Sequence, residues 1–391
     1  MKIPITKPYF DEAEKQALIE PLESGWVVQG PKVKGFEEAV RRFSGAAHAC
    51  ATTSCTTALH LALIATGVGP GDEVILPSFT FVASANAVEY MGAVPIFVDI
   101  DLDTFNMASS QMEAAITKRT KAILPVHLFG LCCDMKPILN AAAKHHLWVI
   151  EDAACAIGGF YKGEHAGTMG DAGCLSFHPR KSITTGEGGM VLTNDADLAH
   201  RVEILRDHGA EMSDLARHEG KGLLLPEYNT LGYNYRMTDL QGALGLVQMG
   251  KLSTILERKR ILASRYNDAL GDLEWLRLPV TPEEYDHGYQ SYVCLFQPQS
   301  LTDLTVERLS KLNNQRNNLM ANLNQQGIST RQGTHAVHAL GYYRSKYHLE
   351  PWDFPKSWTA EHLTLALPLY PQMTDEEQAF VCDALKRSVG A

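Results

Sequence analysis

Lys181 lies in SFHPRKSITTGEGGM (176–190), between an aromatic residue, small hydroxyl residues and a glycine-rich turn. Its nearest charged company along the chain is Arg180 and Glu187, and the flanks have the composition of buried segments. A lysine amine is a nucleophile only when deprotonated, and an ordinary pKa near ~10.4 works against that at neutral pH. Desolvation lowers the value and permits a Schiff base to an aldehyde. A surface lysine in a loop is the alternative. Asp152 ends the apolar run LWVIED (147–152), which places it at the carboxyl end of a strand, where ligand sites form in parallel α/β sheets. A carboxylate there can pair with a protonated ring nitrogen, or simply cap the next helix. In ATTSCTTALHLAL (51–63), small hydroxyl residues precede an amphipathic helix. Such an N-terminus offers free amides and a favourable dipole to a phosphate, although ordinary N-capping by Ser54 or Thr56 explains the same residues.

An amine, a strand-end carboxylate and an anion site are the parts that pyridoxal phosphate (PLP) chemistry requires, with the pyridinium as electron sink. The elements that would position them are legible. Near-continuous apolar runs at 73–77, 94–100, 121–127, 147–152 and 174–177 alternate with helical stretches at 56–66, 81–91 and 134–145. That alternation predicts a mostly parallel sheet covered on both faces. GGMVLTN (188–194) reads as a further strand and 196–208 as a helix. Residues 237–269 are helical in pattern and carry the charged run Glu257-Arg-Lys-Arg260. After them, 292–296 and helices at 305–326 and 375–387 predict a smaller α+β domain. The expected division is a large domain at 1–250 and a small one at 251–391.

The totals narrow the class. A chain of 391 residues exceeds one ordinary core. Hydrophobic content of 45% with 20% charged residues is that of a globular protein. A formal net charge of −10 argues against nucleic acid or anionic membrane as partners. Eight cysteines without a C-x-x-C pair read as reduced thiols. MKIPITKPYFDEAEKQ lacks the apolar run of a cleaved leader, so a cytoplasmic location is expected. Residues 43–71 contain no Asp, Glu, Lys or Arg, but Ser44-Gly45, the Thr/Ser cluster at 52–57 and Gly67-x-Gly69-Pro70 break the run. No membrane span is expected there.

The order of these features resembles the PLP-dependent sugar-nucleotide aminotransferases of the DegT/StrS family, a branch of the fold-type I aminotransferases. SGWVVQGPKVKGFE (24–37), GPGDEVILPSFTFVASANAV (69–88), TKAILPVHLFG (120–130), VIEDAACAIGG (149–159), SFHPRKSITTGEGGM (176–190) and YNYRMTDLQGALG (233–245) carry the resemblance over nearly the whole chain. It implies that Lys181 holds PLP covalently and that Asp152 pairs with the pyridinium. Cys55 and Thr56 fall where the family's phosphate-binding Gly-Thr lies, Cys55 replacing the glycine. Phe81 matches the aromatic that stacks on the ring, and Ala154 lies under the opposite face. Cys155 stands where Glu, Gln or His is usual near the ring hydroxyl. Ser176 matches a phosphate donor, and Asn234 a donor from the neighbouring subunit, which implies a homodimer with shared sites. Trp26, His178, Arg331, His335 and His338 fall to the sugar-nucleotide pocket. Two histidines at i, i+3 resemble metal ligands, but without a carboxylate or Cys companion no metal is expected.

The implied activity moves an amino group from L-glutamate to a nucleotide-linked keto sugar, with Lys181 as acid/base. A 4-keto-6-deoxyhexose is the expected acceptor, giving an amino sugar for a surface polysaccharide such as an O-antigen. ITTGEGGM and the N-terminal blocks look closest to perosamine-type enzymes, which points to a GDP-linked sugar. Amination at C3 of a dTDP-sugar uses the same constellation. PLP-dependent sugar dehydratases carry histidine in place of the lysine. A non-catalytic PLP-binding sensor would lack Lys181 or Asp152.

Overall fold

The structure, a computed structural model, describes residues 1–211, 227–301 and 304–388. Seven strands form the central sheet: β1 (His48–Thr52), β2 (Glu73–Pro77), β3 (Val94–Val98), β4 (Thr120–Ile123), β5 (Trp148–Asp152), β6 (Ala172–Ser176) and β7 (Gly189–Thr193). Their spatial order is β1-β7-β6-β5-β4-β2-β3. The neighbours from β6 to β3 run parallel, and β7 is antiparallel to both β6 and β1. Every residue of β2 and β7 is buried, as expected of strands covered on both faces. The expected strands and helices are present within a few residues of their predicted ends. β1 went unread because HACAT has few of the β-branched or aromatic residues that mark a strand.

The helices Pro31–Ser44 (α1), Cys55–Ala65 (α2) and Asp239–Leu270 (α3) matter most for the site. α3 lies across α1 at close range. A Cβ at Gly242 would sit 2.5 Å from the Val33 amide nitrogen, and one at Gly245 would sit 2.8 Å from the Phe36 ring. Asp239 also accepts from the Gly30 and Val33 amides at 2.9 Å, supplying the N-terminal cap that α1 lacks in its own sequence. The other end of α3 serves the C-terminal part, where Tyr266 donates to the Pro368 carbonyl at 2.9 Å and Gln378 to the Leu262 carbonyl at 2.7 Å. The expected division at 250/251 therefore falls inside one continuous helix that packs on both parts. Residues 3–5 likewise pair with the C-terminal part, through Gly327, Ser329 and Leu369.

That smaller part carries a three-stranded antiparallel sheet of β8 (Leu276–Arg277), β9 (Tyr292–Phe296) and β10 (Thr364–Leu367). It also contributes His335–Ala336, which pairs antiparallel with Phe79–Thr80 just beyond β2. This contact brings the 330–337 segment over the carboxyl ends of the parallel strands. Among the described residues, no helix is long and apolar enough to cross a membrane.

Candidate active site

A cavity of about 890 Å³ opens where those strand ends meet the 330–335 and 290–293 segments. Lys181, Asp152, Cys55, Thr56, Phe81, Ala154, Ser176, His178, Arg331 and His335 all line it. Five separate stretches of sequence thus converge on one space.

Asp152 is 5% exposed. Its backbone is tied to Pro125 and His127, so the strand end cannot swing. Its Oδ2 accepts from Ser84 Oγ at 2.7 Å, and Oδ1 accepts from the Ala154 amide at 3.1 Å. Ser84 is fixed in turn by Thr80 Oγ1 at 2.9 Å. The carboxylate is oriented rather than free, as a group that must meet one ring nitrogen requires.

Lys181 sits on the connection from β6 to β7. The turn closes on itself: the Lys181 amide donates to the His178 carbonyl at 2.8 Å, and Thr184 Oγ1 to the Phe177 carbonyl at 2.8 Å. The glycines that end it have a spatial reason. A Cβ at Gly189 would lie 2.3 Å from the Ser54 carbonyl group, so only glycine lets the N-terminus of α2 come this close. Lys181 Nζ donates to Cys155 Sγ at 3.1 Å. Burial pushes the Lys181 ammonium down, but Cys155, Cys55 and Asp152 outweigh it and hold the amine above its ordinary value. The lowering expected from desolvation alone is therefore not found here: the contact with Cys155, with Cys55 and Asp152 nearby, outweighs it.

At α2, Ser54 and Thr57 cap each other: Ser54 Oγ accepts from the Thr57 amide at 3.2 Å, and Thr57 Oγ1 from the Ser54 amide at 3.0 Å. This uses the ordinary N-cap and still leaves the Cys55 and Thr56 amides without a partner among the described residues. The Cys55 thiol turns inward to the Cys174 carbonyl at 3.5 Å, so replacing glycine does not block the amide. Unpaired amides at a helix N-terminus, the Thr56 hydroxyl and Ser176 make a cradle for a phosphate. The donor set therefore fits PLP at all three handles. Phe81 is 57% exposed at the cavity rim rather than packed in the core.

Three residues lie elsewhere. His338 is fully buried; it hydrogen-bonds Ser78 Oγ through Nδ1 and the Pro351 carbonyl, at 3.0 Å, through Nε2. The three-residue step from His335 turns its ring into the protein, so it cannot meet a substrate in this cavity. Trp26 packs beside Gly30, with its indole donating to the Gln29 carbonyl at 3.4 Å. Asn234 is exposed in a bridge to Asp207. Neither lines this chain's own cavity. Sequence reading missed Ser84, Gln290 and the cavity-lining Arg180 and Glu187 as site residues. Only Arg180 and Glu187 carried a signal, as the two charges nearest Lys181 along the chain. His178 faces Glu187 at 4.0 Å, and burial lowers the His178 value.

Residues 8–386 match the DegT/DnrJ/EryC1/StrS aminotransferase family. The chain is 38% identical over 384 residues to the spore coat polysaccharide biosynthesis protein SpsC of Bacillus subtilis, covering 98% of this chain and 96% of that protein. It is 38% identical over 385 residues to the GDP-perosamine synthase of Caulobacter vibrioides, covering 98% and 97%. Among solved structures, the PLP form of the putative sugar aminotransferase Spr1654 from Streptococcus pneumoniae is similar, with a TM-score of 0.89, 28% identity and coverage of 99% and 98%.

Proposed function

We propose, for a chain that belongs to the DegT/DnrJ/EryC1/StrS aminotransferase family, that it transfers the amino group of L-glutamate to a nucleotide-linked keto sugar. The chain is a PLP-dependent aminotransferase. The finer reading is carried by one observation: the Lys181 amine, the Asp152 carboxylate and the unpaired amides of α2 open on a single cavity.

Bound there, the cofactor supplies the electron sink that lets a Cα–H bond break. Lys181 would hold the cofactor and, as the acid/base of the site, would take the proton from the donor's Cα. Asp152, locked by Ser84 and the Ala154 amide, keeps the ring nitrogen protonated. The Cys55 and Thr56 amides with Ser176 bind the phosphate. Lys181 then returns a proton at the sugar carbon that accepts nitrogen. Arg331 and His335 on the C-terminal wall offer charge and hydrogen bonds to the nucleotide-bearing end of the substrate.

The acceptor is a 4-keto-6-deoxyhexose, a reading supported by the likeness to a GDP-perosamine synthase and to a spore coat polysaccharide protein. We further infer a homodimer with shared sites. Asn234 stands outside its own cavity on a stretch where Leu231 is 83% and Tyr228 is 60% exposed, a surface a second copy can cover. The test incubates the PLP-loaded enzyme and glutamate with GDP-, dTDP- and UDP-linked 3- and 4-keto sugars and reads products by mass spectrometry and NMR. Nitrogen at C4 of a 6-deoxyhexose is the expected result. Nitrogen at C3 overturns the regiochemistry, and no amination of any member overturns the substrate class.

A further inference from the structure

Lys259, on the middle of α3, lies behind the cavity floor and is 2% exposed. Among the described residues no carboxylate lies within ion-pairing distance of it. Its Nζ donates to Ser182 Oγ at 3.3 Å and to the Gln290 carbonyl at 3.2 Å. Ser182 follows Lys181 directly, and the Gln290 side chain donates to the Arg180 carbonyl at 2.8 Å. One amine and one amide thus clip both flanks of Lys181 to the segment that leads into β9.

The charged and titratable groups around Lys259 come from several elements. Cys155 and Lys181 face it from the cavity side. His287 and Arg260 lie on the other side, with Arg260 donating to the His287 carbonyl at 3.3 Å and to the Gly158 carbonyl at 3.0 Å. Burial pushes the Lys259 ammonium down to about 7, with Cys155 opposing and Lys181 adding to the effect. A buried cation without a counter-charge is costly, which is the physical reason for the lowered value.

We propose that Lys259 is a positioning residue for Lys181, clipping residues 180–182 to residue 290 and altering that hold when it gains a proton. The inference rests on Lys181 being the cofactor lysine. With a proton on Lys259, a second cation stands beside the Lys181 site. Without it, Lys259 donates to the same two acceptors with no net charge. The kcat profile of the enzyme should therefore bend near pH about 7, a bend that belongs to Lys259 and not to the cofactor.

The holoenzymes of wild type, Lys259→Met, Lys259→Arg and Ser182→Ala test this through kcat, KM for glutamate and thermal melting, measured from pH about 6 to about 8. Loss of the hydrogen bonds that join Ser182 to the Gln290 carbonyl through Lys259 should lower kcat of Lys259→Met about tenfold while KM stays within about twofold. Its profile should be flat where the wild type bends. Lys259→Arg, charged throughout, should run flat at the wild type's acid-side level, and Ser182→Ala should lose about threefold in kcat. A wild-type bend retained in folded Lys259→Met overturns the proposal. Should that variant fail to fold, a Ser182→Ala profile identical to wild type overturns it instead. Borohydride reduction of the same proteins separates the two readings. A label on Lys181 with an unchanged profile removes only the role of Lys259, whereas a label elsewhere removes the reading of Lys181 itself.

Discussion

On the floor of the cavity, Asp152 and the 176–189 turn are held by the ends of packed strands and by hydrogen bonds to Ser84, Ala154 and Phe177. On the C-terminal wall, Arg331 and His335 ride on a segment that reaches the large sheet by pairing His335–Ala336 with Phe79–Thr80 and by contacts of Val337 and His338 with Ser78. Arg331 is exposed and is tied to β10 by its backbone alone. The floor is built to fix a few atoms within tenths of an ångström, as bond-making requires. The wall presents charge over a wider space, as recognition of a long polar substrate allows. Removing a floor residue should therefore destroy the rate, and removing a wall residue should weaken binding.

The largest expected effect is at Lys181. Lys181→Ala removes both the attachment point and the proton carrier and should cost at least ~10⁴ in kcat, read by a glutamate half-reaction. Asp152→Asn keeps the shape but not the charge and should cost about 10²–10³ in kcat with a modest change in KM. On the wall, Arg331→Gln should raise KM for the nucleotide sugar about ten- to a hundredfold, the worth of one charged hydrogen bond, with kcat nearly kept. A kcat collapse at Arg331 with unchanged KM would erase the distinction between floor and wall.

His338 sharpens the comparison from the other side. Its ring satisfies Ser78 and Pro351 in the interior, so His338→Ala should cost about 1–3 kcal/mol of stability. Activity per folded molecule should not change, and denaturant melting beside kcat separates the two. The smallest effect concerns pH. Lys259 has a folded value of about 7 against an ordinary 10.5, so the unfolded chain binds the extra proton between those values. Stability should rise with pH across that window, and Lys259→Met should remove that contribution to the slope.

Much of the floor was legible because each of its parts breaks a local pattern. Asp152 ends an apolar run, Lys181 stands among uncharged residues, and the cluster at 52–57 precedes a helix. The wall was harder. Arg331, His335 and His338 share one stretch, and spacing does not reveal that His335 enters a strand pairing while His338 turns into the core. Lys259 was hidden for a related reason. Glu257-Arg-Lys-Arg260 reads as a solvated charge run, yet α3 packs on several sides and the helical turn puts Lys259 inward while Glu257 stays outside. Ser84 carried no signal, since a serine that locks a carboxylate 68 positions away looks like any other serine. The boundary at 250/251 falls within the Asp239–Leu270 helix, which packs on both parts and gives no break in sequence pattern there. The Lys181 amine departed from expectation because Cys155 lies beside it.

Two lysines, the partly buried Lys181 and the buried Lys259, lie in the same neighbourhood, and only one of them can bond the cofactor. Purified protein loaded with PLP, reduced with borohydride, digested and sequenced by mass spectrometry should carry the reduced cofactor on Lys181 alone. Cofactor on Lys259 or any other lysine, or none bound, would contradict it.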